Sequence, residues 1–161
     1  MSLRVAAALA VALVPSLSLS AEGSVERGEY LARIMDCGGC HTPMGPDGEF
    51  DQTAKLSGGT LGFELPGLGI FWPPNLTSDE TGLGGWSDEE IATAIRTGHR
   101  PDGRVLAPIM PYHSYSVISD GDLADLIAYL RSIEKIENTV PEPVGPDGEA
   151  QAPFFRITQP E

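Results

Sequence analysis

Apolar residues recur at helical spacing in two stretches of the chain, and each stretch opens on a capping signal. Ser87-Asp88-Glu89-Glu90 has the form of a capping box. In that motif a serine hydroxyl and a glutamate three residues on each accept the other's backbone N–H. It predicts a helix whose core face carries Ile91, Ala94 and Ile95 and which Gly98 closes. Ser119 with Asp122 is a second start of this kind, followed by the stripe Leu123, Leu126, Ile127 and Leu130. A third helix is expected from Ser24 to Met35. Ser24 is its N-cap, Tyr30, Leu31 and Ile34 fall on one face, and it runs into Cys37.

Elsewhere the periodicity fails. From Thr42 to Gly85 the chain is rich in Gly, Pro and Asn, with scattered apolar residues such as Phe50, Leu56, Phe63, Leu65, Ile70 and Trp72. This reads as an extended loop region with at most one short helix. Loops of that length inside a domain are usually functional, and wrapping a large flat cofactor would explain this one. After Val140 the pattern stops again. Residues 141–161 are proline-rich and read as a tail, pinned at most through Phe154 and Phe155. Gly-Pro-Asp-Gly at 45–48 and 145–148, and the similar Pro101-Asp102-Gly103, are turn chemistry rather than a domain repeat.

The first twenty residues stand apart. Arg4 precedes an unbroken apolar run from Val5 to Val14, too short to span a bilayer comfortably. Pro15 ends the run, and Ser18-Leu19-Ser20 offers a small-x-small cleavage site. The segment reads as a secretory signal peptide cut near Ser20, with an uncleaved anchor as the alternative. No lipobox cysteine and no later membrane span accompany it. The expected organisation is a signal peptide over 1–20, one domain over 21–140 and a tail over 141–161, free in the periplasm.

Composition adds two constraints. A chain of 161 residues is the size of one domain. Its 23 acidic side chains against 10 Lys and Arg give a formal net charge of −13. That surface argues against nucleic acid and against insertion into, or docking on, an anionic membrane. It suits a partner with a basic docking patch, or it serves solubility alone.

Cys37-Gly38-Gly39-Cys40-His41 carries the chemistry. Two thiols at this spacing can add to the two vinyl groups on one edge of a haem, and the histidine directly after them becomes the proximal iron ligand. Gly38 and Gly39 let the backbone lie close to the ring. A disulfide, a thioredoxin-like redox pair and a zinc site are the competing readings. The second lacks a βαβ pattern around it, and the third lacks further well-placed ligands.

The other face of the iron calls for a methionine or a second histidine. Met1 leaves with the signal peptide. Met35 and Met44 lie too close to the attachment motif to cross the ring. Met110 sits far along the chain between Pro108 and Pro111, which stiffen its loop. It is the favoured distal ligand, with His113 and His99 as alternatives. Arg96, Arg100 and Arg104 are candidates for pairing with haem propionates. Trp72 and Trp86 are expected to be core aromatics.

Together the attachment motif, the first helix, Met110 in its proline-flanked loop and the final helix resemble class I c-type cytochromes. Pro74-Asn75-Leu76-Thr77-Ser78-Asp79, Thr81-Gly82-Leu83-Gly84, Trp86-Ser87, Met110-Pro111-Tyr112 and Ala128-Tyr129-Leu130 narrow the resemblance. They are similar to the haem domains of bacterial dehydrogenase cytochrome subunits, such as those of alcohol and aldehyde dehydrogenases. The resemblance spans roughly residues 25 to 140. It implies an all-α class I cytochrome c fold, with a few short helices and long loops around one covalent haem c. It implies His41 and Met110 as axial ligands, and Gly28 packed near Tyr129. Such subunits usually string three domains together and end in a membrane anchor. One haem motif and no anchor here favour a small soluble partner or a diffusible carrier.

The expected function is therefore electron transfer, not catalysis. Electrons come from a periplasmic dehydrogenase and pass to a respiratory cytochrome or oxidase. A haem enzyme, such as a small peroxidase or a sulfur-oxidising cytochrome, is the alternative. It would need an open distal site, and His113 beside Met110 is its only hint.

Overall fold

A computed structural model describes residues 23–158. The expected signal peptide at 1–20 lies outside the described residues. Helix α1 spans Val25–Ile34, α2 Cys37–His41, α3 Asp88–Thr97, α4 Tyr112–Tyr115 and α5 Asp120–Ser132. Strands β1 (Gly62–Leu65), β2 (Gly69–Phe71) and β3 (Phe154–Phe155) form one small sheet of order β2-β1-β3. No described helix is long and apolar enough to cross a membrane.

The three long helices begin where their side chains cap them. Ser24, Ser87 and Ser119 accept backbone N–H bonds from Arg27, Glu90 and Asp122. At α3 the Glu90 carboxylate also accepts from the Ser87 N–H at 2.7 Å, which completes the box. Gly98 ends α3 in the left-handed region at φ 76°. Replacing Ser87 with alanine removes one half of this reciprocal pair. We expect a loss of about 1 kcal/mol in urea unfolding, the usual cost of an N-cap hydroxyl.

The core forms where α1 and α3 meet α5. Leu31, Leu56, Leu83, Ile91, Ile95, Leu123, Leu126, Ile127, Tyr129 and Leu130 pack into one cluster. The face of α1 differs from expectation. Leu31 is buried, but Tyr30 is 52% exposed and Ile34 60% exposed. The buried face runs through Gly28, Leu31 and Ala32 to Met35, which packs against the core. Gly28 opens that stripe, because a Cβ there would overlap the Asp125 carbonyl and lie 2.7 Å from Tyr129 Cβ. The expected approach of Gly28 to Tyr129 is thus present.

The first helix also stops short of Cys37. Asp36 adopts φ 55°, a left-handed conformation that Asp tolerates better than most residues. It breaks the helix and starts α2 in a new direction.

The sheet corrects the all-α expectation. β1 and β2 pair antiparallel with Phe63 opposite Phe71, and β3 adds in parallel with Phe155 opposite Phe63. The loop region does hold one short helical piece, a 3-10 turn at Gln52–Ala54. The chain after Val140 is fixed against this region at several points. Val144 bridges to Ile70, the Trp72 indole N–H donates to the Pro153 carbonyl at 3.1 Å, and Arg156 pairs with Glu64. This segment is a strap across the loop region, held by far more than the two phenylalanines. The Pro-Asp-Gly segments form turns, closed by N–H to carbonyl bonds from Gly48 to Gly45, Gly103 to Arg100 and Gly148 to Gly145.

Candidate haem attachment site

Cys37 and Cys40 occupy one turn of α2, three positions apart and so on one face, and both are free thiols. Burial pushes the Cys37 thiol up to about 11 and raises Cys40 as well, so both are protonated thiols near neutral pH. They form no disulfide, and the described residues contain no cluster of three His, Cys, Asp or Glu able to hold a metal ion.

His41 ends α2 with 7% of its surface exposed. Its Nδ1 lies 2.8 Å from the Pro74 carbonyl oxygen. A carbonyl only accepts, so Nδ1 carries the proton and Nε2 keeps its lone pair. Burial lowers the affinity of the ring for a second proton, only partly offset by the Pro74 carbonyl. The result is a neutral imidazole oriented by its second nitrogen, the form in which histidine binds a metal.

The loop region holds this geometry from behind. Gly58 N–H donates to the His41 carbonyl at 2.8 Å, and Gly59 N–H donates to the Pro73 carbonyl at 2.9 Å. A Cβ on Gly59 would overlap the Cys40 carbonyl and lie 3.0 Å from Pro73 Cγ, so the approach requires glycine. The donor set fits a covalently attached haem: two thiols on one helical face, and a buried imidazole beside them with Nε2 unengaged.

Met110 lies half-buried in the segment before α4. Its N–H donates to the Ala107 carbonyl at 2.9 Å, and its carbonyl accepts from Tyr112 N–H at 2.8 Å. Leu106 N–H donates to the Gly98 carbonyl at 2.8 Å, which ties the segment to the end of α3. Tyr115, which the sequence did not single out, links it to the attachment motif. Its hydroxyl donates to the Met35 carbonyl at 2.8 Å, two residues before Cys37. Burial pushes the Tyr115 phenol up to about 12, so it stays a donor at any working pH.

The remaining candidates have other partners. Arg96 binds the Ile118 carbonyl and Asp120, Arg100 binds Asp102, and Arg104 binds Asp102 and Glu142. Arg100 also lies over the Trp86 ring, 5.1 Å from its centroid. Trp72 is buried and Trp86 packs against the core cluster. His99 and His113 are both exposed. Asn75 and Thr77, noted in the sequence only within a longer resemblance, are fully buried beside Pro74. Their sequence signal is weak: a proline followed by small polar residues inside a loop.

Residues 25–134 match the family model described as Cytochrome c. The chain is 38% identical over 133 residues to the fructose dehydrogenase cytochrome subunit of Gluconobacter japonicus, covering 81% of this chain and 24% of that protein. It is 40% identical over 106 residues to the gluconate 2-dehydrogenase cytochrome c subunit of Pantoea cypripedii, covering 65% and 22%. It is 35% identical over 109 residues to the cytochrome c subunit of the quinone alcohol dehydrogenase of Gluconobacter oxydans, covering 67% and 21%. The chain thus spans between a fifth and a quarter of the length of these relatives. The match covers the attachment helix, the buried imidazole and the helices that frame them, and the chain belongs to the cytochrome c family.

Proposed function

We propose that this chain is an exported one-electron carrier. It takes electrons from a periplasmic dehydrogenase and passes them to a respiratory cytochrome or oxidase. Cys37 and Cys40 hold a single haem c as thioethers, His41 ligates its iron through Nε2, and Met110 ligates through sulfur. The haem supplies an Fe(III)/Fe(II) couple. The protein's own part is to attach, orient and shield. The observation that carries this reading is the His41 ring, buried directly after two free thiols with its Nδ1 committed to the Pro74 carbonyl. The named relatives, cytochrome subunits of dehydrogenases, supply the choice of donor.

Two measurements test the reading. Intact mass of the exported protein should show one haem per chain, and Cys37→Ser or Cys40→Ser should leave it on a single thioether or abolish it. A mass equal to the bare chain would overturn the cofactor assignment. Affinity purification from the native periplasm should recover a dehydrogenase. A chain that comes out alone, yet is oxidised by respiratory cytochromes, would make it a diffusible shuttle. With a formal net charge of −13, docking on a basic partner should weaken steeply as salt rises. Association indifferent to ionic strength would count against electrostatic steering.

A further inference from the structure

Pro74, whose carbonyl holds His41, has no N–H with which to anchor its own peptide. The next residue does the anchoring. Asn75 is 1% exposed, and every polar position on its side chain is used. Its Nδ2 donates to the Ile136 carbonyl at 2.7 Å and to the Thr81 hydroxyl at 3.0 Å, and its Oδ1 accepts from Thr77 N–H at 2.9 Å.

Both ends of the neighbouring chain are pinned too. Leu76 N–H donates to the Leu56 carbonyl at 2.8 Å, and the Pro73 carbonyl accepts from Gly59 N–H. Gly82 closes the knot, since a Cβ there would lie 2.6 Å from the Thr77 carbonyl and 2.8 Å from that of Asn75. The partner segment is Ile136 to Asn138, just past the matched family domain. Ile136 N–H donates to the Thr77 hydroxyl, Asn138 N–H donates to the Thr81 hydroxyl, and the Asn138 side chain donates to the Ser57 carbonyl at 2.8 Å. Ser57 in turn precedes Gly58, which binds the His41 carbonyl.

We propose that Asn75 is a positioning residue for the proximal imidazole, and that the chain entering the strap at Ile136–Asn138 tunes the reduction potential through it. This rests on the reading of His41 as the iron ligand. The physical route is short. A carbonyl held rigidly on Nδ1–H gives the imidazole more negative character and makes Nε2 a stronger donor. A stronger donor favours ferric iron. Loosening the Asn75 knot lets the Pro74 carbonyl drift, weakens the donor and raises the potential.

The test compares three holoproteins with wild type: Asn75→Ala, Asn138→Ala and the remote Ser87→Ala. The readouts are the midpoint potential and the exchange rate of the His41 Nδ1 proton by NMR. Asn75→Ala should shift the equilibrium three- to tenfold toward reduced iron, about 28–59 mV for one electron. It should also speed Nδ1–H exchange at least tenfold. Asn138→Ala should move both in the same direction by less. Ser87→Ala should lower stability and leave both unchanged, which separates positioning from general loosening. If Asn75→Ala carries haem with potential and exchange unaltered, the proposal is overturned. If Asn75→Ala yields no holoprotein, Asn138→Ala decides on the same two readouts. A wild-type chain without covalent haem, or with His41 off the iron, would instead defeat the underlying reading before any variant is compared.

Discussion

Gly28→Val is expected to be among the most destabilising single substitutions in this protein, costing about 3 kcal/mol or more. In most helix interiors the sign would be opposite, because glycine is worse than a residue with a Cβ by roughly 0.5–1 kcal/mol. Here the Cβ has no space. It would overlap the Asp125 carbonyl and press on Tyr129 Cβ, both on α5. Backbone and Cβ atoms cannot rotate away as a long side chain can, so α1 must move bodily off α5. That displaces Leu31 and Ala32 from the core they share with Leu126 and Tyr129. It also strains the Ser24 N–H bond to the Asp125 carboxylate, 2.6 Å long, and the Arg27–Asp122 pair. Gly121 supplies the control. It lies in the first turn of α5 with nothing within 4 Å of a built Cβ, so Gly121→Ala should be neutral or stabilising by up to about 1 kcal/mol. Urea unfolding of both variants measures the contrast. A Gly28 variant as stable as the Gly121 variant would show that the helices are not pressed together as described.

What could be read from the sequence follows the range of the interactions involved. A helix start is decided within three residues, so Ser24, Ser87 and Ser119 are legible as caps in the sequence alone. The attachment motif is as local, because Cys37, Cys40 and His41 lie within five consecutive residues. The buried face of α1 is harder. It begins at a glycine, which no hydrophobic pattern counts, so the stripe drawn through Tyr30 and Ile34 pointed to solvent. The sheet fails for a related reason. β1 and β2 are four and three residues long and glycine-bearing, and β3 arrives from the far end of the chain. No alternation of useful length exists to detect. The Asn75 knot is the least legible feature, since its amide bonds Ile136 from 61 positions away. Polar residues in a loop look alike in sequence whether they face water or one another.

Met110→Ala should open the iron to outside ligands while leaving the fold intact. The loop's geometry belongs to its backbone. Met110 N–H binds Ala107, Met110 carbonyl binds Tyr112, Leu106 binds Gly98, and Tyr115 binds Met35 across to the attachment segment. None of these bonds involves the thioether, so its loss leaves the loop in place with a gap where sulfur stood. Carbon monoxide binding to the reduced protein should then tighten by about 100-fold, equivalent to ~2.8 kcal/mol of competition removed from the iron. The potential should fall, because a methionine sulfur favours reduced iron and its replacement by water or a histidine does not. Circular dichroism should be unchanged, and Cys37 and Cys40 should still carry the haem. His113→Ala is the necessary companion, since His113 is the other donor in this segment. If His113→Ala opens the iron and Met110→Ala does not, the distal ligand is the histidine. If neither variant responds and wild type already binds carbon monoxide rapidly, the sixth position is open. The domain would then be equipped for chemistry at the iron rather than for carrying electrons alone.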